Sequence, residues 1–209
     1  GGLTVGADGG SHQQIEDIAI MRTIPNMRVL LPADSVAVSK LTWVIAQQYG
    51  PFYMRMCRSK TPIVHSDSQE FQIGKAITVR DGSDCTITAC GITVNIALDA
   101  ANLLNQDGIS CRVVDCFSIK PIDKELLEKA ARETGGIVTC EEHNVMGGFG
   151  SAVAEVVSET YPVPIRRIGV QDKFGESARD NEIPQLLEKH GITSINIANA
   201  VKEIRSHKQ

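Results

Sequence analysis

Apolar and polar positions along this chain switch between a helical and a strand-like period. Ser11 and Gln14 have the spacing of a capping box, and Ile15, Ile18, Ala19 and Arg22 continue at helical spacing. Pro25 and Asn26 stop that helix, and Met27–Leu31 predicts a short buried strand closed by Pro32. Asp34 or Ser35 caps a predicted helix to about Gln48, with Val38, Leu41, Val44 and Ile45 on one face. Gly50-Pro51 breaks it, and Phe52–Met56 predicts a second strand. A polar connector over Thr61–Ile73 interrupts the pattern. Beyond it, Ala76–Arg80 and Cys85–Cys90 predict strands joined by a turn at Asp81-Gly82-Ser83-Asp84. Thr93–Gln106 is an amphipathic helix ended by Gly108. Strands over Ser110–Phe117, Ile137–Glu141 and Pro164–Val170 alternate with helices over Lys124–Thr134 and Ser151–Thr160. Two further helices fall near Ile183–His190 and Thr193–Ile204.

That alternation implies an α/β fold of mostly parallel sheets with helices on both faces. Residues 1–66 supply only two strands and two helices. A parallel α/β domain needs more, so this segment reads as the end of a domain whose beginning is absent. Residues 67–71 are the expected linker, and 72–209 are numerous enough to form a complete domain.

Composition narrows the class. The chain has 209 residues, 42% hydrophobic and 22% charged, which suits a globular protein with a buried core. The longest apolar runs, such as Val29-Leu30-Leu31, fall far short of the ~20 residues of a membrane span, and no signal peptide is visible. No membrane partner is expected. The net charge of −4 argues against a nucleic-acid partner. Its distribution is uneven: residues 1–66 hold six Lys/Arg against four Asp/Glu, and the remainder fifteen against twenty-one. An anionic small ligand is therefore sought in the first third. The six cysteines show no C-x-x-C spacing, which predicts reduced, buried thiols in a cytoplasmic protein and no zinc site.

The richest stretch is Gly6-Ala7-Asp8-Gly9-Gly10-Ser11-His12-Gln13. Glycines allow a tight path and a close approach to the backbone. Asp8 can bind a hydroxyl, and His12 can accept or donate a proton. The competing reading is that both merely cap a helix. Arg55 and Arg58 lie at the end of a predicted strand, where α/β sheets present ligand crevices, and an Arg fork suits phosphate. The competing reading is a solvated basic rim. In Gly147-Gly148-Phe149-Gly150, Val153 stands where a dinucleotide fingerprint needs its third small residue, so these glycines are expected to serve a sharp strand-to-helix turn. Glu141, Glu142 and His143 are adjacent on a strand and point to alternate faces, which argues against a metal site. The role of Phe174-Gly175-Glu176-Ser177, a subunit contact or a positioning loop, stays open.

Taken together, several of these motifs resemble the C-terminal part of the thiamine-diphosphate-dependent transketolases, nearly end to end. The resemblance rests on Gly6–Gln13 with Ile15-Glu16-Asp17-Ile18-Ala19, Arg22–Met27, Pro32-Ala33-Asp34, Gly50-Pro51-Phe52 and Arg58–Pro62. It continues with Glu141–Val145, Gly147–Glu155 and Asp172–Ser177. It implies that 1–66 end a pyrimidine-binding domain and that 72–209 form the transketolase C-terminal domain. It also implies transfer of a two-carbon ketol unit from a ketose phosphate to an aldose phosphate, as in the pentose phosphate pathway. By the same resemblance, His12 contacts the substrate carbonyl or hydroxyl oxygens, Asp8 bonds a substrate hydroxyl, and Arg58 binds the substrate phosphate. Thiamine diphosphate and its Mg²⁺ are expected to be held mainly outside this chain, with cofactor residues upstream of Gly1 and no metal ligand here. A partner carrying the diphosphate-binding half is implied, with a homodimer through this chain, and the isolated chain is expected to be inactive. Ala7 and Gly10-Ser11 depart from the commonest transketolase form. Gly-Ala-Asp-Gly is commoner in deoxyxylulose-phosphate synthases and in the β-subunits of 2-oxo acid dehydrogenases. Those two remain alternatives, as does a non-catalytic assembly subunit.

Overall fold

Asp34 fixes the turn from the first strand into the first long helix. In the computed structural model, which describes residues 1–206, α2 (Ser35–Ala46) starts where Asp34 Oδ1 accepts the Ala37 amide at 2.8 Å. Asp34 Oδ2 accepts the amides of Val64 and His65 at 2.7 and 2.8 Å. One buried carboxylate thus caps a helix and ties down the polar connector. The connector contains no helix or strand, yet it is anchored at both ends. His65 Nε2 lies 2.8 Å from Asp115 Oδ2, and its ring meets Phe71 edge-on at 5.0 Å.

The strands form two sheets. In the first, β1 (Arg28–Leu30) runs parallel to β2 (Phe52–Met54). Its other neighbour is β6 (Ser118–Lys120), antiparallel, which comes from far along the chain. The strand predicted over 110–117 is β5 (Cys111–Asp115) in the second sheet, and β6 is a further strand that the pattern does not predict. Phe117 then turns across, its carbonyl accepting the Leu31 amide at 2.7 Å, and Ser118 begins β6 beside β1.

The second sheet has the order β3-β5-β4-β7-β8. Here β3 is Ile77–Arg80, β4 Cys85–Ala89, β7 Ile137–Asn144 and β8 Ile165–Val170. All neighbours are parallel except β3 with β5. The expected adjacency of β3 and β4 is not formed, because β5 lies between them. The turn at 81–84 crosses the start of β5, where the Ser110 carbonyl accepts the amides of Ser83 and Asp84 at 3.1 and 2.8 Å. A Cβ on Gly82 would sit 2.2 Å from the Cys111 carbonyl carbon.

Strand alternation sends side chains to both faces. Cys85, Ile87, Ala89, Val113 and Val138 pack under α3 (Thr93–Gln106) and α7 (Ser194–Ser206). Val114 and Ile137 pack under α4 (Lys124–Thr134) and α5 (Phe149–Thr160). The architecture is α/β with helices on both faces. All six cysteines are free thiols, five of them buried. No helix among the described residues is long and apolar enough to cross a membrane.

The predicted capping box at Ser11 does not form. Residues 9–13 make a turn instead, and α1 (Asp17–Thr23) begins only at Asp17. Ser11 Oγ is engaged by His12 Nδ1 at 3.0 Å, and Gln13 is drawn into the interior.

Asp34 carries a testable consequence. Burial opposes its charge, but its three backbone amides outweigh burial and hold the carboxyl below its ordinary value. Its contribution is present above about pH 4 and is lost as pH falls through the depressed value. Asp34→Ala should cost about 2–4 kcal/mol at pH 7 in urea unfolding. Asp34→Asn should remove this residue's share of the acid-side loss that wild type shows.

Candidate functional site

The glycine-rich stretch is a loop pinned from three directions. Leu3–Asp8 forms two short 3-10 turns that meet at Gly6, whose φ of 72° only glycine adopts without strain. From the second sheet, the buried Glu142 carboxylate accepts the Thr4 amide. From the segment after β2, Ser59 Oγ donates to the Thr4 carbonyl at 3.2 Å. From the far C-terminal part comes the loop Gly175–Ala178. The Ala178 amide donates to the Gly6 carbonyl at 3.3 Å, and Gln13 Nε2 donates to the carbonyls of Leu3 and Glu176, both at 2.9 Å.

This contact changes the meaning of the glycines. A Cβ on Gly10 would come within 2.7 Å of the Gly175 carbonyl oxygen, and one on Gly9 within 2.3 Å of Ser177 Oγ. What approaches the backbone at Gly9 and Gly10 is the 175–177 loop of this same chain. Within the chain, the 175–177 part of the segment packs directly on the glycine loop.

The exposed side of the same loop carries the expected chemistry. Asp8 and Arg58 meet there, Oδ2 to Nη1 at 2.5 Å, with both side chains about half exposed. His12 stands four residues beyond Asp8, exposed, with its amide on the Gly9 carbonyl at 3.0 Å. Two of the three expected residues are in direct contact, and the third lies in the same turn.

Arg55 and Arg58, three residues apart, go opposite ways. Arg55 is buried: its Nε lies 3.0 Å from Asp17 Oδ2, and its Nη2 donates to the carbonyls of Gln14 and Glu142 at 3.0 and 2.8 Å. Tyr53 donates to the same Asp17 oxygen at 2.6 Å. The Tyr53 hydroxyl has its pKa raised by burial and by the Asp17 carboxylate. Arg55 is therefore a seam residue between the first segment and β7, and Arg58 alone faces outward.

Strand β7 supplies the rest of the seam. Glu141 accepts the amides of Phe149 and Gly150 at 2.6 and 2.8 Å, so its carboxylate fills the N-terminus of α5, where a fingerprint loop would seat a phosphate. Burial pushes its carboxyl up to about 7. A Cβ on Gly148 would lie 2.2 Å from Glu141 Oε2, which accounts for that glycine by strand-to-helix packing. His143 has Nδ1 on the Asn144 carbonyl at 2.6 Å and Nε2 facing the Ala19 amide at 3.4 Å, an arrangement for the neutral ring. Burial lowers its pKa accordingly. The crevice of this sheet lies between β4 and β7, where the chain order reverses. Its mouth is closed by the first segment: the Gly91 amide binds the Leu31 carbonyl at 3.2 Å, and the Asn144 amide binds the Ile15 carbonyl at 2.8 Å. A dinucleotide has no place there.

Residues 1–64 match the family described as "Transketolase, pyrimidine binding domain", and residues 74–197 match "Transketolase, C-terminal domain". The chain belongs to the transketolase family. It is 41% identical over 207 residues to a 6-deoxy-6-sulfo-D-fructose transketolase subunit of Clostridium sp. (strain MSTE9), covering 99% of this chain and 63% of that protein. It is 44% identical over 195 residues to an apulose-4-phosphate transketolase subunit of Phocaeicola vulgatus, covering 92% of this chain and 62% of that protein. Among solved structures, a split-gene transketolase described as an inactive β4 tetramer is 46% identical. It superposes with a TM-score of 0.88 over 96% of this chain and 64% of that one. The chain thus spans a little under two thirds of the transketolase subunits it resembles.

The sequence singled out Asp8, His12 and Arg58 but gave Gln13 no role, and the charge pattern alone took Arg55 and Arg58 together. The only local cue for Gln13 is a long polar side chain directly after a run of small residues. The expected result for the two arginines differs sharply. Arg55→Ala leaves Asp17 buried without its partner and should cost about 3–5 kcal/mol by chemical denaturation. Arg58→Ala removes an exposed ion pair and should cost less than about 1 kcal/mol.

Proposed function

We propose that this chain is one part of a transketolase that moves a two-carbon ketol unit from a ketose phosphate to an aldose phosphate. The observation that carries this reading is the pairing of Asp8 with Arg58 on the exposed side of the loop that also bears His12. Arg58 offers a planar fork to a phosphate dianion and exchanges its Asp8 partner for it on binding. Asp8, released, accepts a hydrogen bond from a substrate hydroxyl. His12, at a solvent-facing position in the turn that follows Asp8, donates a hydrogen bond to the substrate carbonyl or hydroxyl oxygen and can carry the proton that moves there.

The family depends on thiamine diphosphate. This chain's own residues do not fit the diphosphate and its metal. Among the described residues, no three His, Cys, Asp or Glu side chains gather where they could hold a metal ion. The α5 N-terminus, which could cradle a phosphate, is filled by Glu141. The reading therefore assigns the diphosphate and Mg²⁺ to a partner chain carrying the diphosphate-binding domain. The isolated chain is inactive in this reading, and the working enzyme is a cytoplasmic assembly built on a dimer of this chain.

The complex with its diphosphate-binding partner, supplied with thiamine diphosphate and Mg²⁺, should transfer a ketol group from xylulose 5-phosphate to ribose 5-phosphate. His12→Ala should lower kcat by about 10²–10⁴-fold. Arg58→Ala should raise KM for phosphorylated sugars and leave unphosphorylated donors nearly unaffected. Undiminished transfer in His12→Ala would remove that residue from the site. Use of pyruvate in preference to ketose phosphates would move the chain to the decarboxylating relatives.

A further inference from the structure

Gln13 sits behind the loop that bears Asp8 and His12, and nothing in the chemistry assigned to those residues uses it. It is buried, while Ser11 and His12 before it are exposed. Its side-chain nitrogen donates to two carbonyls, Leu3 at the start of the glycine loop and Glu176 in the 175–178 loop. Of the two polar atoms of this side chain only the nitrogen can serve both, because both partners are acceptors. The fit is close: a Cβ on Gly175 would lie 1.9 Å from Gln13 Oε1, and one on Gly10 would lie 2.7 Å from the Gly175 carbonyl oxygen. The 175–178 loop is itself braced from behind by the Glu176–Lys189 ion pair, 2.6 Å, at the end of α6 (Ile183–Lys189). Among the described residues, the other backbone bonds of the stretch between Asp8 and Gln13 are turn bonds to the Gly6 and Gly9 carbonyls.

We propose that Gln13 is a positioning residue. Its amide fastens the 6–12 loop onto the 175–178 loop and thereby sets where Asp8 and His12 stand. The proposal rests on the reading of Asp8 and His12 given above. It gives the C-terminal part of the chain a direct hold on the site, through one side chain and two closely packed backbones. The contact is sensitive to chemistry as well as shape. Gln13→Glu keeps the volume, but a carboxylate faces the two carbonyls without a donor, so it should fail like Gln13→Ala.

The test uses two readouts on the complex of this chain with its partner. The first is amide hydrogen exchange over residues 6–13. Loss of two hydrogen bonds should speed exchange there by about tenfold or more in both Gln13 variants, with the exchange of β4 and β7 unchanged. The second is steady-state ketol transfer from xylulose 5-phosphate. Here kcat should fall about ten- to a hundredfold, the effect of misplacing catalytic groups by about an ångström. KM should rise less than in Arg58→Ala, because the phosphate-binding Arg58 is carried by a different segment. Gly175→Ala should reproduce both changes by displacing the Gln13 amide. In a Gln13→Ala background it should add much less, since the clash with the amide has gone and only a 3.2 Å approach to the Cβ of residue 13 remains. Unchanged exchange at 6–13 in Gln13→Glu, or fully additive effects of the two substitutions, would overturn the proposal. If the wild-type complex transfers no ketol group, the functional reading fails. The exchange measurements and the Gln13/Gly175 cycle still decide whether Gln13 positions the loop.

Discussion

A buried guanidinium organises the seam on which the rest of this protein is arranged. Taking Arg55 out of water is costly unless its donors and charge are met, and the chain meets them from three places. Asp17 supplies the opposite charge from the first turn of α1, Gln14 a carbonyl from the turn before it, and Glu142 a carbonyl from β7. These partners lie 38, 41 and 87 residues from Arg55 in sequence, so the satisfied arginine welds the first segment to the second sheet. Tyr53, two residues earlier on the same strand face, adds a hydroxyl to the same carboxylate. Because residues of the first segment occupy the seam, the crevice of the second sheet is closed to a ligand. Arg58, Asp8 and His12, the proposed site residues, lie outside it and are exposed.

The glycine loop lies just beyond this seam and depends on it. Its inner side is set by close backbone contact with the 175–178 loop, its outer side by solvent. Two demands meet at Gly9 and Gly10. The turn must bring Asp8 and His12 to the same surface, and the backbone must leave room for Ser177 and Gly175. Glycines that in the sequence suggest a close approach to the backbone therefore serve packing within the chain. The same holds at Gly148, where a carboxylate of β7 occupies the helix N-terminus that a nucleotide phosphate would need.

Much of the architecture was legible from local pattern. Thr93–Gln106 and Lys124–Thr134 form helices with the expected bounds, and Asp34 and Asp123 cap helices through their side chains, as residues of that type do. Their determinants are short-range: periodicity, a cap, a following glycine. The failures are all long-range. Ser11 and Gln14 have capping-box spacing, but burial of Gln13 against Glu176 competes for the same backbone and wins. The 81–84 turn looks like a hairpin because turn residues flank two strands, yet β5 inserts between them. Nothing local tells Cys116–Phe117 that Ser118–Lys120 must complete the first sheet beside β1.

At the site the division is similar. The sequence by itself determined which side chains are available for chemistry: an acid, an imidazole and a fork-shaped cation within the first third of the chain. These are properties of residue type and spacing, which survive without coordinates. Tertiary structure decided which arginine is buried and which is offered to solvent, because that depends on what β7 and α1 bring to the strand end. It also decided that Gly175 and Gln13, 162 positions apart, touch. That contact requires the whole second sheet to fold before either residue has a partner, so no local pattern could encode it.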